Sequence, residues 1–259
     1  MNQANVGIVI QSAQHRPQQL QMCIESLLAN TDQKFRLMVN HVTHSEASTQ
    51  YLLNKLAAGQ LQHLFLHDPH NDWWPSGFAN ACAAAFRINY SPLGPPPPEW
   101  LVLSCDDVEF QPGWLGHSLQ TIAAFSELTN IGIYSPYRPP EHTFLPPALV
   151  KGEYSLLPYA SIAPRCMMIK TELFFELGCW PLHKATTADW GFMVKLEERG
   201  LQKMVIGGYK VLHKDLGHAP SHGEKREDGR NGDEVILEMY GGYRGEPGTT
   251  WPVEVGRPG

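Results

Sequence analysis

The sequence is poor in charge. Asp, Glu, Lys and Arg make up only 18% of its 259 residues, and the net charge is −6. That balance excludes a general attraction to nucleic acid or to an anionic membrane surface, although a local basic groove stays open. No apolar run approaches the ~18 residues that cross a bilayer. The first stretch, MNQANVGIVIQSAQHRP, lacks a basic n-region and meets polar residues soon after its apolar ones. It is expected to be a first strand, not a signal peptide. The five cysteines (Cys23, Cys82, Cys105, Cys166, Cys179) are odd in number, widely spaced and without CxxC spacing. This excludes a disulfide framework and leaves buried thiols in a reducing cytosol as the expectation.

Apolar residues, at 42%, suffice for a core, and 23 glycines with 21 prolines imply much loop. The length suits one large domain or two small ones. NVGIVIQS, 5–12, reads as a buried strand. In 16–31, Leu20, Cys23, Ile24, Leu27 and Leu28 recur at helical spacing, with Pro17 suited to the first turn. A strand over 35–42, a helix over 47–59 closed by Gly59, a strand over 62–68 and a small-residue helix over 76–90 follow. Strands alternating with helices imply a parallel sheet with right-handed crossovers. Ligands of such sheets bind beyond the carboxyl ends of the strands, here Gln11–Arg16, Asn40–His44 and Asp68–Trp74.

SPLGPPPPEW, 91–100, is a stiff surface connection, because a strand over 99–107 follows at once. A helix over 113–128, a strand over 131–137 and a proline-rich loop over 136–147 come next. Then the pattern gives strand, helix and glycine stop over 165–180, a helix over 187–201 and a strand pair over 203–218. From Ala219 the tail is polar and glycine-rich. The motif that stands out is LVLSCDDVEFQPGWL, 101–115: an apolar strand that ends on Asp106 and Asp107. Adjacent aspartates before Pro-Gly suit a turn. They also suit a hard divalent cation, which favours carboxylate oxygens.

Taken in order, SAQHRPQQLQMCIESLLANT, GFANACAAAF, LVLSCDDVEFQPGWL, RCMMIKTELFFELGCW, ADWGFMVKLEERGL and VLH…GH resemble the GT-A fold glycosyltransferases of the large inverting family 2. The resemblance covers about residues 5–218. It implies an α/β domain with a mainly parallel central sheet over 1–218, with 219–259 as an irregular extension. It implies transfer of a sugar from a nucleoside diphosphate sugar, with a UDP-linked donor as the first expectation, to an acceptor hydroxyl, with Mn²⁺ or Mg²⁺. Acceptor classes are a glycan, a lipid-linked sugar, a protein or a modified nucleobase; the lack of a membrane anchor weighs against the lipid-linked class.

Residue by residue, the resemblance makes Asp107 the direct metal ligand of a DxD-type motif, with Asp106 beside it facing ribose or metal. Cys105 stands where the first acid of that motif usually is. His213, at the end of the strand YKVL, or His218 completes the metal shell, with His222 a distant third. Asp189 is the general base on the acceptor side, although Ala188 and Gly191 replace its usual acidic neighbours and a helix-cap role is equally written in TTAD. Gln11 and Arg16 lie in the nucleotide loop after the first strand. Asn40 ends the second strand in place of the usual aspartate. Gly77 and Asn80 match a donor-binding loop and helix, with Trp73 and Trp74 as additions that stack on sugar or base, or cover the sheet edge. Two readings compete: a metal-dependent hydrolase or nucleotidyltransferase built on the same acids and histidines, and a sugar-nucleotide-binding module without activity.

Overall fold

The computed structural model describes residues 5–12, 17–42, 45–67, 96–137, 148–158, 165–179, 188–208 and 210–214. Strand β1 (Val6–Ser12) has almost no polar positions until its end, which suits a strand covered on both faces. It pairs in parallel with β2 (Phe35–Val42) on one side and with β4 (Trp100–Cys105) on the other, and β2 pairs in parallel with β3 (His63–His67). Helix α1 (Pro17–Asn30) buries Leu20, Cys23, Ile24 and Leu27, the stripe expected from their spacing. Helix α2 (Glu46–Ala57) is capped by Ser45, whose side chain accepts a bond from the Ser48 amide.

Beyond β4 the sheet becomes mixed. The full order among the described residues is β3-β2-β1-β4-β9-β6-β10-β8-β7. Strand β6 spans Ile131–Ser135, β7 Leu149–Lys151, β8 Tyr154–Pro158, β9 Cys166–Lys170 and β10 Gln202–Ile206. Strand β9 runs against both β4 and β6, and β8 against both β10 and β7. The remaining strands share one direction, so the central sheet is mostly parallel, as expected. Side chains alternate between its faces. Val6, Ile8, Ile10 and Val102 join α1, α2 and α3 (Trp114–Ala124) in one core. Val9, Leu101, Leu103 and Ile169 join α4 (Thr171–Glu176) and α5 (Ala188–Glu198) in the other.

Three expectations are corrected. The segment expected as a strand pair over 203–218 does not pair with itself. Strand β10 joins the central sheet, while β11 (Val211–His213) leaves it to pair with β5 (Val108–Phe110) in a small second sheet. The reason is the turn between them: Gly207 packs so closely on β8 that a Cβ there would lie 1.9 Å from Ser155 Oγ, and Gly208 follows at φ +86°. Strands β5, β7 and β8 were not expected at all. The helix expected to run to residue 128 stops at Ala124. The helix expected over 76–90 and the extension over 219–259 lie outside the described residues.

The start of α3 holds the loop after β4 in place. Its cap residue, Gly113, has φ +69° and no capping side chain. A distant side chain substitutes: Asp32 Oδ1 accepts the Gly116 amide at 2.9 Å, and its charge faces the positive end of the helix dipole. Trp114 Nε1 donates to Thr31 Oγ1 at 2.8 Å, from the same α1–β2 connection. Asp32→Ala is expected to lower stability by about 1 kcal/mol, the usual cost of a lost cap, measured by urea denaturation.

Candidate functional site

The carboxyl ends of β1, β2 and β4 lie side by side. Gln11 is in register with Asn40 on one side and with Cys105 on the other. With strands ~4.8 Å apart, these three residues span about 10 Å along one sheet edge. Asn40 is buried, and its Oδ1 has no hydrogen-bond partner among the described residues. One residue further on, Ser12 Oγ and His41 Nδ1 are 3.0 Å apart, both buried. His41 is thereby a packed, hydrogen-bonded part of the floor. Arg16, Gly77, Asn80, Trp73 and Trp74 lie outside the described residues, as do His218 and His222.

Directly past Cys105 the chain turns through Asp106 and Asp107. Asp106 is buried at 3% exposure. Both carboxylates act on the α1 side: burial pushes the Cys23 thiol well above its ordinary value, and the negative charges of Asp106 and then Asp107 push it further. Cys23 Sγ also lies 3.7 Å from the Cys105 carbonyl. Cys23, Cys105, Cys166 and Cys179 are all free thiols.

The small second sheet carries a late segment to this turn. Register pairs His213 with Val108, the residue after Asp107. One step further, the Lys214 amide donates to the Asp107 carbonyl at 2.9 Å. The Lys214 carbonyl in turn accepts from Gln19 Nε2 at 3.0 Å, a buried side chain in the first turn of α1. His213 thus sits in the backbone next to the acid pair, about one hundred residues on in sequence; its side chain lies outside the described part. Lys214 Nζ pairs with Glu109 at 3.0 Å.

A residue that sequence reasoning missed completes the cluster. Arg165 stands just before β9, and its Nη1 lies 3.4 Å from Asp107 Oδ2. In sequence RCMMIK marks a strand start and one piece of the family resemblance, and nothing local marks its arginine as a partner of Asp107. The signal is the antiparallel pairing of β4 with β9.

Helix α5 brings Asp189 to the same edge. Its carboxyl-terminal end lies by the start of β6, where a Cβ on Gly132 would meet Leu196. The chain then enters β10, which runs parallel to β6 and in the direction of β4. The helix therefore begins at the opposite edge, where β4 ends in Asp106. Asp189, whose side chain lies outside the described part, falls in the first turn of α5. Phe192, one turn in, packs on Phe174 of α4 with ring centroids 5.5 Å apart, which joins the two helices.

Among the described residues, no three His, Cys, Asp or Glu side chains form a metal cage. The donor set nevertheless fits a hard divalent cation. Two adjacent carboxylates close a buried strand end, and an imidazole-bearing position is hydrogen-bonded into register beside them.

Comparison with solved structures decides the fold. GalNAc-T7 with UDP, GalNAc and Mn²⁺ superposes with a TM-score of 0.60 at 14% identity, covering 82% of this chain and 44% of that one. The fold is GT-A. Residues 1–349 of S. aureus TarS in complex with UDP give a TM-score of 0.55 at 11% identity, over 79% of this chain and 58% of that one. The mannosyltransferase PcManGT from Pyrobaculum calidifontis, in complex with GDP-Man and Mn²⁺, gives 0.54 at 13% identity, over 79% and 58%. In each case the GT-A chain described here spans less than two thirds of the length of the chain it matches. No protein-family model and no curated protein matches the sequence. Among the described residues no helix is long and apolar enough to cross a membrane.

Proposed function

We propose that this chain is an inverting glycosyltransferase that moves a sugar from a nucleoside diphosphate sugar, UDP-linked in the first instance, to an acceptor hydroxyl. One observation carries the reading. On a GT-A fold, β5 pairs with β11, which sets His213 beside the turn that holds Asp106 and Asp107. Two segments about one hundred residues apart in sequence thus meet at one strand end.

The roles follow from position. Asp107 and His213, or His218, would hold Mn²⁺ or Mg²⁺, with Asp106 against the cation or the ribose. A bound divalent cation supplies charge neutralisation for the departing diphosphate. Gln11, Arg16 and Asn40 border the nucleotide, and the Asn40 amide oxygen, buried and without a partner among the described residues, is suited to accept from a base or ribose. Gly77 and Asn80 would complete the donor side. Asp189, at the start of α5, takes the proton of the attacking hydroxyl. The acceptor is a glycan, a protein or a modified nucleobase, and we place the reaction in the cytoplasm, where free thiols persist.

The test is a panel of UDP- and GDP-sugars with Mn²⁺ or Mg²⁺. Binding and slow sugar release should follow one nucleotide and require the metal. Rapid release to water that no acceptor class can divert would favour the hydrolase reading. Metal-dependent donor binding with neither release nor transfer would identify a binding module. No binding of any nucleotide sugar by cooperatively folded protein would remove the proposal.

A further inference from the structure

We propose that Arg165 is a positioning residue for the donor diphosphate, sharing Asp107 with the divalent cation. The inference rests on the donor reading above and assigns a residue that this reading does not use.

The main chain of Arg165 is fastened independently of its side chain. Its carbonyl accepts the Cys105 amide at 3.0 Å and Ser104 Oγ at 2.7 Å. The side chain is therefore not needed to hold β9 on β4. Its guanidinium makes one contact with Asp107, through a single nitrogen at 3.4 Å. A structural Arg–carboxylate pair normally uses two short parallel bonds from the fork. Here the fork is loosely engaged, and 30% of the side chain remains exposed.

Charge arithmetic gives the side chain its work. Asp106, Asp107 and Glu109 gather at this turn. Lys214 is engaged by Glu109 at 3.0 Å and is 41% exposed. Among the described residues, Arg165 is a cation set against Asp107. A divalent cation on that carboxylate repels the guanidinium, and a diphosphate arriving with the metal offers it a new anionic partner in fork geometry. Arg165 and the metal thus oppose each other without nucleotide and cooperate with it.

That pattern gives a signature which a merely structural arginine lacks. The full chain and its Arg165→Ala and Arg165→Lys variants are compared, with thermal melts to establish folding. Mn²⁺ binding without nucleotide is read by the electron paramagnetic resonance of free Mn²⁺, and UDP and GDP binding with Mn²⁺ by calorimetry. Arg165→Ala should bind Mn²⁺ alone about two- to fivefold more tightly, as a partly exposed competing ion pair is lost. It should bind the diphosphate about 10- to 100-fold more weakly, as a charge-assisted bond is lost. Arg165→Lys should lie between in both. A prop for the turn would weaken both affinities, and that result overturns the proposal. So does an unchanged diphosphate affinity in Arg165→Ala while the original protein binds, an outcome that leaves the donor reading standing. An original protein that melts cooperatively yet binds neither UDP nor GDP at about 1 mM removes the donor reading and this role together.

Discussion

Asp107→Asn is expected to fold normally and to lose metal-dependent donor binding by about 100-fold or more. Outer-shell partners of metal ligands already cost about 10–100-fold in affinity when removed. A direct carboxylate ligand should reach or pass the upper end. The change is nearly isosteric, and the main-chain carbonyl that receives the Lys214 amide is untouched. The side chain gives up its ion pair with Arg165, but that pair is long and the arginine 30% exposed, so losing the pair should cost folding less than about 1 kcal/mol. Asp106 would be a poorer probe, because at 3% exposure its loss would mix folding with function. The competing account is a turn. Asparagine serves a turn as well as aspartate does, so that account expects Asp107→Asn to bind donor and Mn²⁺ like the original. Calorimetry with the nucleotide, with Mn²⁺ and then with chelator, separates the two. Equal Mn²⁺-dependent affinity in both proteins would leave the acids as turn residues only.

The parts of this molecule that were readable in sequence are those whose partner is local or whose burial is one-sided. The stripe Leu20, Cys23, Ile24, Leu27 fixes α1 by period alone, and the apolar run of β1 fixes a strand covered on both faces. The turn after β4 was readable because its two carboxylates end an apolar run. Strands β5 and β11 have three residues each, too few for a period to stand out; each pairs with the other across about one hundred residues of chain. The hairpin β7–β8 is exposed along much of its length, with Val150 at 66%, so no alternation marks it. Arg165 was invisible for the same physical reason. Its contact with Asp107 spans 58 positions and depends on β9 running against β4, a direction that the sequence does not carry.

Asp189→Asn is expected to leave donor binding intact and to slow transfer by about 10²–10⁴-fold, the span of general-base loss. The position argues for it. Helix α5 starts at the sheet edge where β4 ends and runs away from it toward the start of β10. Asp189 lies in the first turn of that helix, on a different element from Asp106 and Asp107. A purely structural first-turn acid makes a different forecast. Its contribution through the dipole is about 0.3–1 kcal/mol, and losing it would shift the melting temperature slightly while leaving turnover per folded molecule unchanged. Asp189→Ser sharpens the contrast, since serine supports a helix start yet is no base at neutral pH. Both variants are to be assayed at saturating donor, with transfer corrected for the folded fraction. Transfer surviving in both would place the base elsewhere. Transfer lost in both, with donor affinity held, assigns Asp189 to the acceptor side of the reaction.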